Sequence, residues 1–179
     1  METKALENIG LTKGEIKDGD RRHLKEMELV LAPLAKVAVI VPIGAGGITS
    51  GVLSALKLLN PQITVIGVAS DQTNSMYISL KAGKPRSITV LARTMWEDGV
   101  KVAEPELFAV DIMIDLVDGV VTVPHDMIES GILAHWKDAR IKSEGASVLP
   151  YLALQNPKVV ELLKQNGIEN VVLVSTGQN

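Results

Sequence analysis

Cysteine is absent from this chain, which excludes a disulfide framework and thiolate metal sites and fits a reducing compartment. Aromatic residues are scarce, at 3% of 179 residues, so Val, Ile, Leu and Ala must fill the interior. Histidine occurs three times, as His23, His125 and His135, with no metal-ligand spacing. Each reads as a surface or helix-end residue, and no metal site is expected. A charge excess is missing too: the formal net charge is −3 with both signs interspersed, without the basic footprint of a nucleic-acid partner. Gly, Pro or Lys breaks every apolar run before it could span a bilayer, and Met1-Glu2-Thr3-Lys4 leads into a mixed-charge stretch, not a signal peptide. The expectation is a cytoplasmic protein with neither membrane nor nucleic acid as partner. A chain of this length forms one domain with a real core.

What is present is concentrated in Val37-Ala-Val-Ile-Val-Pro-Ile-Gly-Ala-Gly-Gly-Ile-Thr-Ser-Gly51. A run of β-branched residues breaks at a glycine cluster, and a helical stretch from Val52 to Leu59 follows. That order puts free backbone N–H groups and the positive end of a helix dipole at the carboxyl edge of a strand, where a phosphate is held. Glycine permits positive φ and close approach of the backbone to an anion. A dinucleotide is disfavoured, because Thr49 stands where G-x-G-x-x-G requires its third glycine. Asp71 could mimic a ribose-binding acid, but Ser70-Asp71 is also ordinary turn chemistry. A tight connection without ligand is the plainer alternative.

Capping-box spacing at Thr12–Glu15 and the turn Asp18-Gly-Asp20 precede a helix from about Arg21 to Leu31. Strands are expected at Val37–Ile43, Ile63–Val68, Gly119–Val123 and Asn170–Ser175. Helices are expected from Ser75 to Ala82, closed by Gly83; from Pro105 to about Val117; from Asp126 to Arg140; and from Gly145 to Leu154, with Pro150 near its first turns. A further helix starts at Asn156-Pro157 and ends at Gly167. Residues 84–102 read as loops with short extended pieces. Alternating strands and helices mean an α/β protein with a parallel layered sheet. An amino-terminal helical segment, 1–36, precedes an α/β domain, 37–179. In such a sheet ligands sit at the carboxyl ends of the strands, so the loop Gly44–Gly47 and the segment Ser175–Asn179 converge on one edge.

Taken in order, several segments resemble the carboxyl-terminal half of a fold-type II pyridoxal-phosphate enzyme, closest to the threonine/serine dehydratases (ammonia-lyases). They are Val41-Pro-Ile-Gly-Ala-Gly-Gly-Ile-Thr-Ser-Gly51, Gly67-Val68, Ser75–Gly83, Asp98-Gly99, Ser143-Glu-Gly-Ala146 and Val174-Ser-Thr-Gly177. The resemblance runs from about Val37 to the end. It implies an incomplete large domain of the tryptophan-synthase-beta-like type, with pyridoxal 5′-phosphate as cofactor. It also implies β-elimination from a hydroxy amino acid to a 2-oxo acid and ammonia. By the same resemblance Gly44, Ala45, Gly46 and Gly47 hold the cofactor phosphate, Ser175 bonds the pyridine nitrogen, and Glu144 orients substrate or cofactor. A neutral hydroxyl at Ser175 leaves that nitrogen largely unprotonated, which suits elimination of water.

The chain also departs from the family pattern. Ala45 stands where another glycine is usual, Ala69 replaces a glutamate that helps hold a structural cation in many relatives, and Ser175-Thr-Gly-Gln replaces Ser-Gly-Gly-Asn. The family's Schiff-base lysine lies well upstream of the glycine loop, and Lys4, Lys13, Lys17, Lys25 and Lys36 stand in no matching Ser-x-Lys context. No catalytic residue is therefore identifiable, and the chain alone is expected to be inactive unless an amino-terminal half complements it. A non-catalytic phosphate-binding or interaction remnant is the alternative. Because the family's large domain borrows strands from its amino-terminal segment, an exposed sheet edge and homo- or hetero-oligomerisation are expected.

Other residues have structural readings beside functional ones. Glu144 fits a cap at a helix start as well as an orienting group. Asp98, after Glu97, fits a turn. Thr49 and Ser50 fit capping, though either hydroxyl could reach a phosphate. Trp96 and Trp136 read as packing or interface anchors.

Overall fold

The computed structural model describes residues 36–90 and 95–177. The expected capping box, the helix from Arg21 to Leu31, His23 and the four lysines before Lys36 lie outside the described residues. Four strands, β1 (Val37–Pro42), β2 (Thr64–Ser70), β3 (Gly119–Val123) and β4 (Asn170–Leu173), form one sheet in the order β3-β2-β1-β4. Every pairing is parallel. The helices are α1 (Gly47–Leu59), α2 (Ser75–Ala82), α3 (Leu107–Leu116), α4 (Ile128–Ala139), α5 (Gly145–Ala153) and α6 (Pro157–Gln165). The α/β layered sheet expected from the sequence is what forms.

β1 and β2 are buried along their whole length, as central strands of a parallel sheet covered on both faces must be. Alternation along them divides the core in two. Val37, Val39, Val41 and Val65 face Leu53 of α1, Met76 of α2, and Val110 and Met113 of α3. Ile40, Ile66 and Val68 face the other way, with Val123, against Ile128 of α4, Val148, Leu149 and Leu152 of α5 and Val159 of α6. Each fully buried aliphatic side chain contributes roughly 1.5–3 kcal/mol. Gly67 has no side chain for a local reason: a Cβ there would lie 2.1 Å from Cδ1 of Ile43.

Local chemistry sets the helix ends. Gly83, at φ +67°, stops α2 by donating its N–H toward Leu80 and Ser79. Asn156 caps α6 by accepting from the Lys158 N–H, with Pro157 in the first turn, and Gly167 leaves it at φ +61°. Lys57, in the last turn of α1, donates to the Ile63 carbonyl at 2.7 Å and to Asp118 at 2.6 Å. This ties the end of α1 to the start of β3.

Several expectations are corrected. α1 begins at Gly47, five residues before Val52, because the helix grows directly out of the glycine loop. β1 ends at Pro42 and β4 at Leu173, while α3 begins at Leu107, after Glu106. Pro150 does lie near the first turns of α5, in the second, as expected; it is buried, and its missing N–H costs a bond that packing must offset. Within 84–102 a 3₁₀ turn forms at Met95–Val100. No helix among the described residues is long and apolar enough to cross a membrane.

Candidate functional site

The glycine loop leaves β1 at the carboxyl edge of the sheet, next to the exit of β2, where the Ile43 N–H donates to the Val68 carbonyl at 2.7 Å. Gly46 is the N-cap of α1 in the left-handed region, φ +99°, and its carbonyl accepts from the Ser50 N–H at 2.7 Å. A side chain is impossible at this point without movement, since a Cβ would lie 2.5 Å from Cε of Met76 and 2.7 Å from Cβ of Ala109. Among the described residues no acceptor takes the N–H groups of Gly44, Ala45, Gly46 or Gly47. The first turn of α1 carries no acidic residue. Unspent donors at the positive end of a helix favour an anion.

Ala45, the departure from glycine, has no positive φ, so its methyl group brings no backbone strain. Its carbonyl accepts from the Glu106 N–H. Thr49 and Ser50 are buried and turned inward: Thr49 donates to the Pro42 carbonyl at 2.9 Å and Ser50 to the Gly47 carbonyl at 3.1 Å. Neither caps α1.

β4 brings the second segment to the same edge. Leu173 pairs with Ile40, and the Val174 N–H donates to the Ile40 carbonyl at 3.0 Å. Ser175 therefore stands one strand away, about 5 Å across the sheet, from the point where β1 enters the loop. It is exposed, and no described residue bonds its hydroxyl. Gly177 is clamped onto the start of α5: its N–H donates to Oγ of Ser147 at 2.6 Å, and its carbonyl accepts from the Glu144 N–H at 3.3 Å. The Glu144 carboxylate lies over Gly177, where a Cβ would come within 2.4 Å of Oε2. Glu144 is the N-cap residue of α5, but its side chain caps nothing and is exposed. Loop, Ser175 and Glu144 are thus gathered at one edge.

The turn Met95–Val100 fills the gap behind them. A Cβ on Gly44 would lie 3.1 Å from Cα of Val100, and one on Gly145 only 1.7 Å from the Trp96 carbonyl oxygen. Backbone packs on backbone at both contacts. Asp98 is an exposed turn residue, as its structural reading holds. Asp71 is turn chemistry as well, its carboxylate accepting from the His125 N–H at 2.9 Å.

One histidine corrects the expectation of a surface or helix-end position, while His125, half-buried at the start of the short helix His125–Met127, fits it. His135 is buried, its Nδ1 2.8 Å from Oγ of Ser143 and its ring stacked on Tyr151 with centroids 4.8 Å apart. His125 places Nδ1 2.7 Å from Oε2 of Glu97, which is wholly buried. Ser147 and the pairing of His125 with Glu97 escaped the sequence reading. Ser147 had one available signal, its place three residues after Glu144 at a helix start. Trp96 packs against the core, whereas Trp136 is exposed, with Arg140 and Lys142 cations over its ring. Among the described residues no group of three His, Cys, Asp or Glu could hold a metal ion.

Residues 25–177 match the family described as pyridoxal-phosphate dependent enzyme. The chain belongs to that family. Members are pyridoxal-phosphate enzymes of fold type II, and the residues at this edge fit the cofactor's phosphate: free amides, a helix N-terminus and no acidic group in the first turn. The chain is similar to the L-threonine ammonia-lyase of Geobacter sulfurreducens, 35% identical over 134 residues, covering 74% of this chain and 33% of that one. It is 34% identical over 142 residues to the catabolic L-threonine dehydratase of Escherichia coli strain K12, covering 78% of this chain and 41% of that one. Among solved structures of the fold, the processed form of threonine deaminase isoform 2 from Solanum lycopersicum superposes with a TM-score of 0.69 at 24% identity. That match covers 98% of this chain and 51% of the other. Serine racemase from Dictyostelium discoideum gives 0.65 at 25% identity, over 79% and 44%. The chain spans less than half the length of the curated relatives it matches.

Proposed function

We propose that this chain is the phosphate-holding, carboxyl-terminal part of a pyridoxal-phosphate-dependent threonine/serine ammonia-lyase. The observation that carries the reading is the convergence of Gly44–Gly47, with unspent amides, and Ser175, with an unbonded hydroxyl, on one sheet edge. Relatedness to threonine ammonia-lyases supports the choice of chemistry. The reaction removes water from a hydroxy amino acid, and a water molecule then hydrolyses the resulting imine to a 2-oxo acid and ammonia. When bound, pyridoxal phosphate supplies the electron sink that lets the α-proton and the β-hydroxyl leave.

The chain's own residues divide the holding work. The amides of Gly44, Ala45, Gly46 and Gly47 grip the phosphate, helped by the α1 dipole. Ser175 would donate a hydrogen bond from its neutral hydroxyl to the pyridine nitrogen, which would leave that nitrogen unprotonated. Glu144, exposed beside Gly177, orients the bound molecule. The lysine that carries the cofactor comes from an amino-terminal half, and the chain alone is inactive. In support, Lys36 precedes β1 at the opposite, amino edge, where it pairs with Glu169. Lys57 is spent on Asp118 and the Ile63 carbonyl.

The test is a 2-oxo acid assay with L-threonine and L-serine, run on this chain alone and with a polypeptide carrying the lysine half. Activity only in the mixture supports the reading. Turnover by the isolated chain would falsify its inactivity. Phosphate binding without turnover under either condition favours the binding remnant.

A further inference from the structure

We propose that Glu97 and His125 form a positioning pair that fixes the distance between the glycine loop and the start of α5. This rests on reading Gly44–Gly47 as the phosphate site. Glu97 is the one buried carboxylate among the described residues, at 0% exposure. An acid in such a place costs desolvation that an apolar residue would avoid, so its retention calls for a task. Only Oε2 is engaged, at 2.7 Å from Nδ1 of His125; Oε1 has no partner among the described residues. The turn is therefore held from this side chain through a single contact.

That contact reaches a well-anchored point. His125 lies two residues past the end of β3, after Pro124, and its N–H donates to Asp71, which directly follows β2, at 2.9 Å. The Asp71 N–H in turn donates to the Val123 carbonyl at 2.9 Å. Two strand exits are thus laced together, and Glu97 hangs the turn Met95–Val100 from the lacing. On its other sides the turn bears on the site itself, through Val100 on Gly44, Trp96 on Gly145 and Gly99 on Ala146. No side chain intervenes at Gly44 or Gly145 to absorb a shift, and close-packed backbone transmits it. Any displacement of Glu97 moves the loop and Glu144 together.

The experiment compares E97A, E97Q and H125Q with the wild-type chain, each at a temperature where it is fully folded. Amide hydrogen exchange is followed over 43–47, 143–147 and, as reference, 157–173. Binding of inorganic phosphate and of pyridoxal 5′-phosphate is measured in parallel. E97A and H125Q are expected to raise exchange in both site segments about tenfold and to weaken phosphate by a similar factor, the equivalent of one charge-assisted hydrogen bond. E97Q, which can still bond His125, is expected to fall near wild type, and the reference segment to stay unchanged. Wild-type exchange at 43–47 and 143–147 in E97A overturns the proposal, as does uniform loosening of all three segments. Should E97A fail to fold, H125Q poses the same question from the partly exposed end of the pair. If the wild-type chain binds neither phosphate nor cofactor, the functional reading fails while the exchange measurement still decides the role of the pair.

Discussion

The carbonyl oxygen of Trp96 presses on the Cα of Gly145 so closely that a β-carbon there would lie 1.7 Å away. Backbone is the obstacle, so no rotamer change relieves the overlap. Gly145→Ala is expected to destabilise the fold by about 3 kcal/mol, at the upper end of overpacking costs. A urea midpoint within error of wild type would show that the turn and α5 are not packed as described.

Gly46 and Ala45 are neighbours with opposite tolerances. Gly46→Ala meets a left-handed backbone and two crowded contacts at once, and should cost at least about 2 kcal/mol while abolishing phosphate binding. Ala45→Gly, at a position without positive φ, should change stability by less than about 1 kcal/mol, through the unfolded chain. Thermal unfolding and phosphate titration of the two variants check the contrast. Equal losses would contradict it.

On the proposed reading, Ser175 meets the cofactor ring and not its phosphate. Because it is exposed and bonded to no described residue, Ser175→Ala should leave stability within about 0.5 kcal/mol of wild type. Affinity for pyridoxal phosphate should fall about tenfold, one hydrogen bond's worth, with inorganic phosphate unaffected. Parallel loss of both affinities would place Ser175 against the phosphate instead.

The two tyrosines should titrate apart. Tyr151 donates to Asp138, which holds its phenol above the ordinary value near 10, with burial and the Asp138 charge adding to the rise. Tyr77 lies below that value, first through its hydrogen bond with Lys81 and then through nearby lysine charge. For Tyr151 the raised folded value means a contribution present at neutral pH and lost as pH climbs through it. For Tyr77 the lowered value means a contribution present only above the unfolded value and lost as pH falls through the folded one. Ultraviolet absorbance should show Tyr77 ionising first, and D138N should draw the second step down toward the first. A single step shared by wild type and D138N would sink the assignment.

Sequence legibility follows interaction range. α2, from Ser75 to its glycine stop at Gly83, and β3, Gly119–Val123, could be read residue by residue, because capping and a β-branched run act locally. The glycine loop and Ser175 could be named from motif order, and a parallel sheet placed both at one edge. That β4 sits beside β1, bringing Ser175 next to the loop, depends on pairing between distant residues and left no local trace. His135 misled for the same reason. Its burial comes from Ser143 and Tyr151, which only the packing of α4 on α5 supplies. Met95–Val100 took its shape from the backbones around it, which no propensity encodes.

The pairing of Val37 with Asn170 has a consequence for how this chain comes into being. β1 and its glycines lie far from β4 along the chain, yet among the described residues β4 is one of the two neighbours of β1. Parallel contacts of such sequence separation close late, after the loop entropy between them has been overcome. Ser175 consequently comes beside the glycine loop only when β4 docks on β1. Until that pairing forms, Gly44–Gly47 and Ser175 are two separate segments, and the edge that gathers them does not exist.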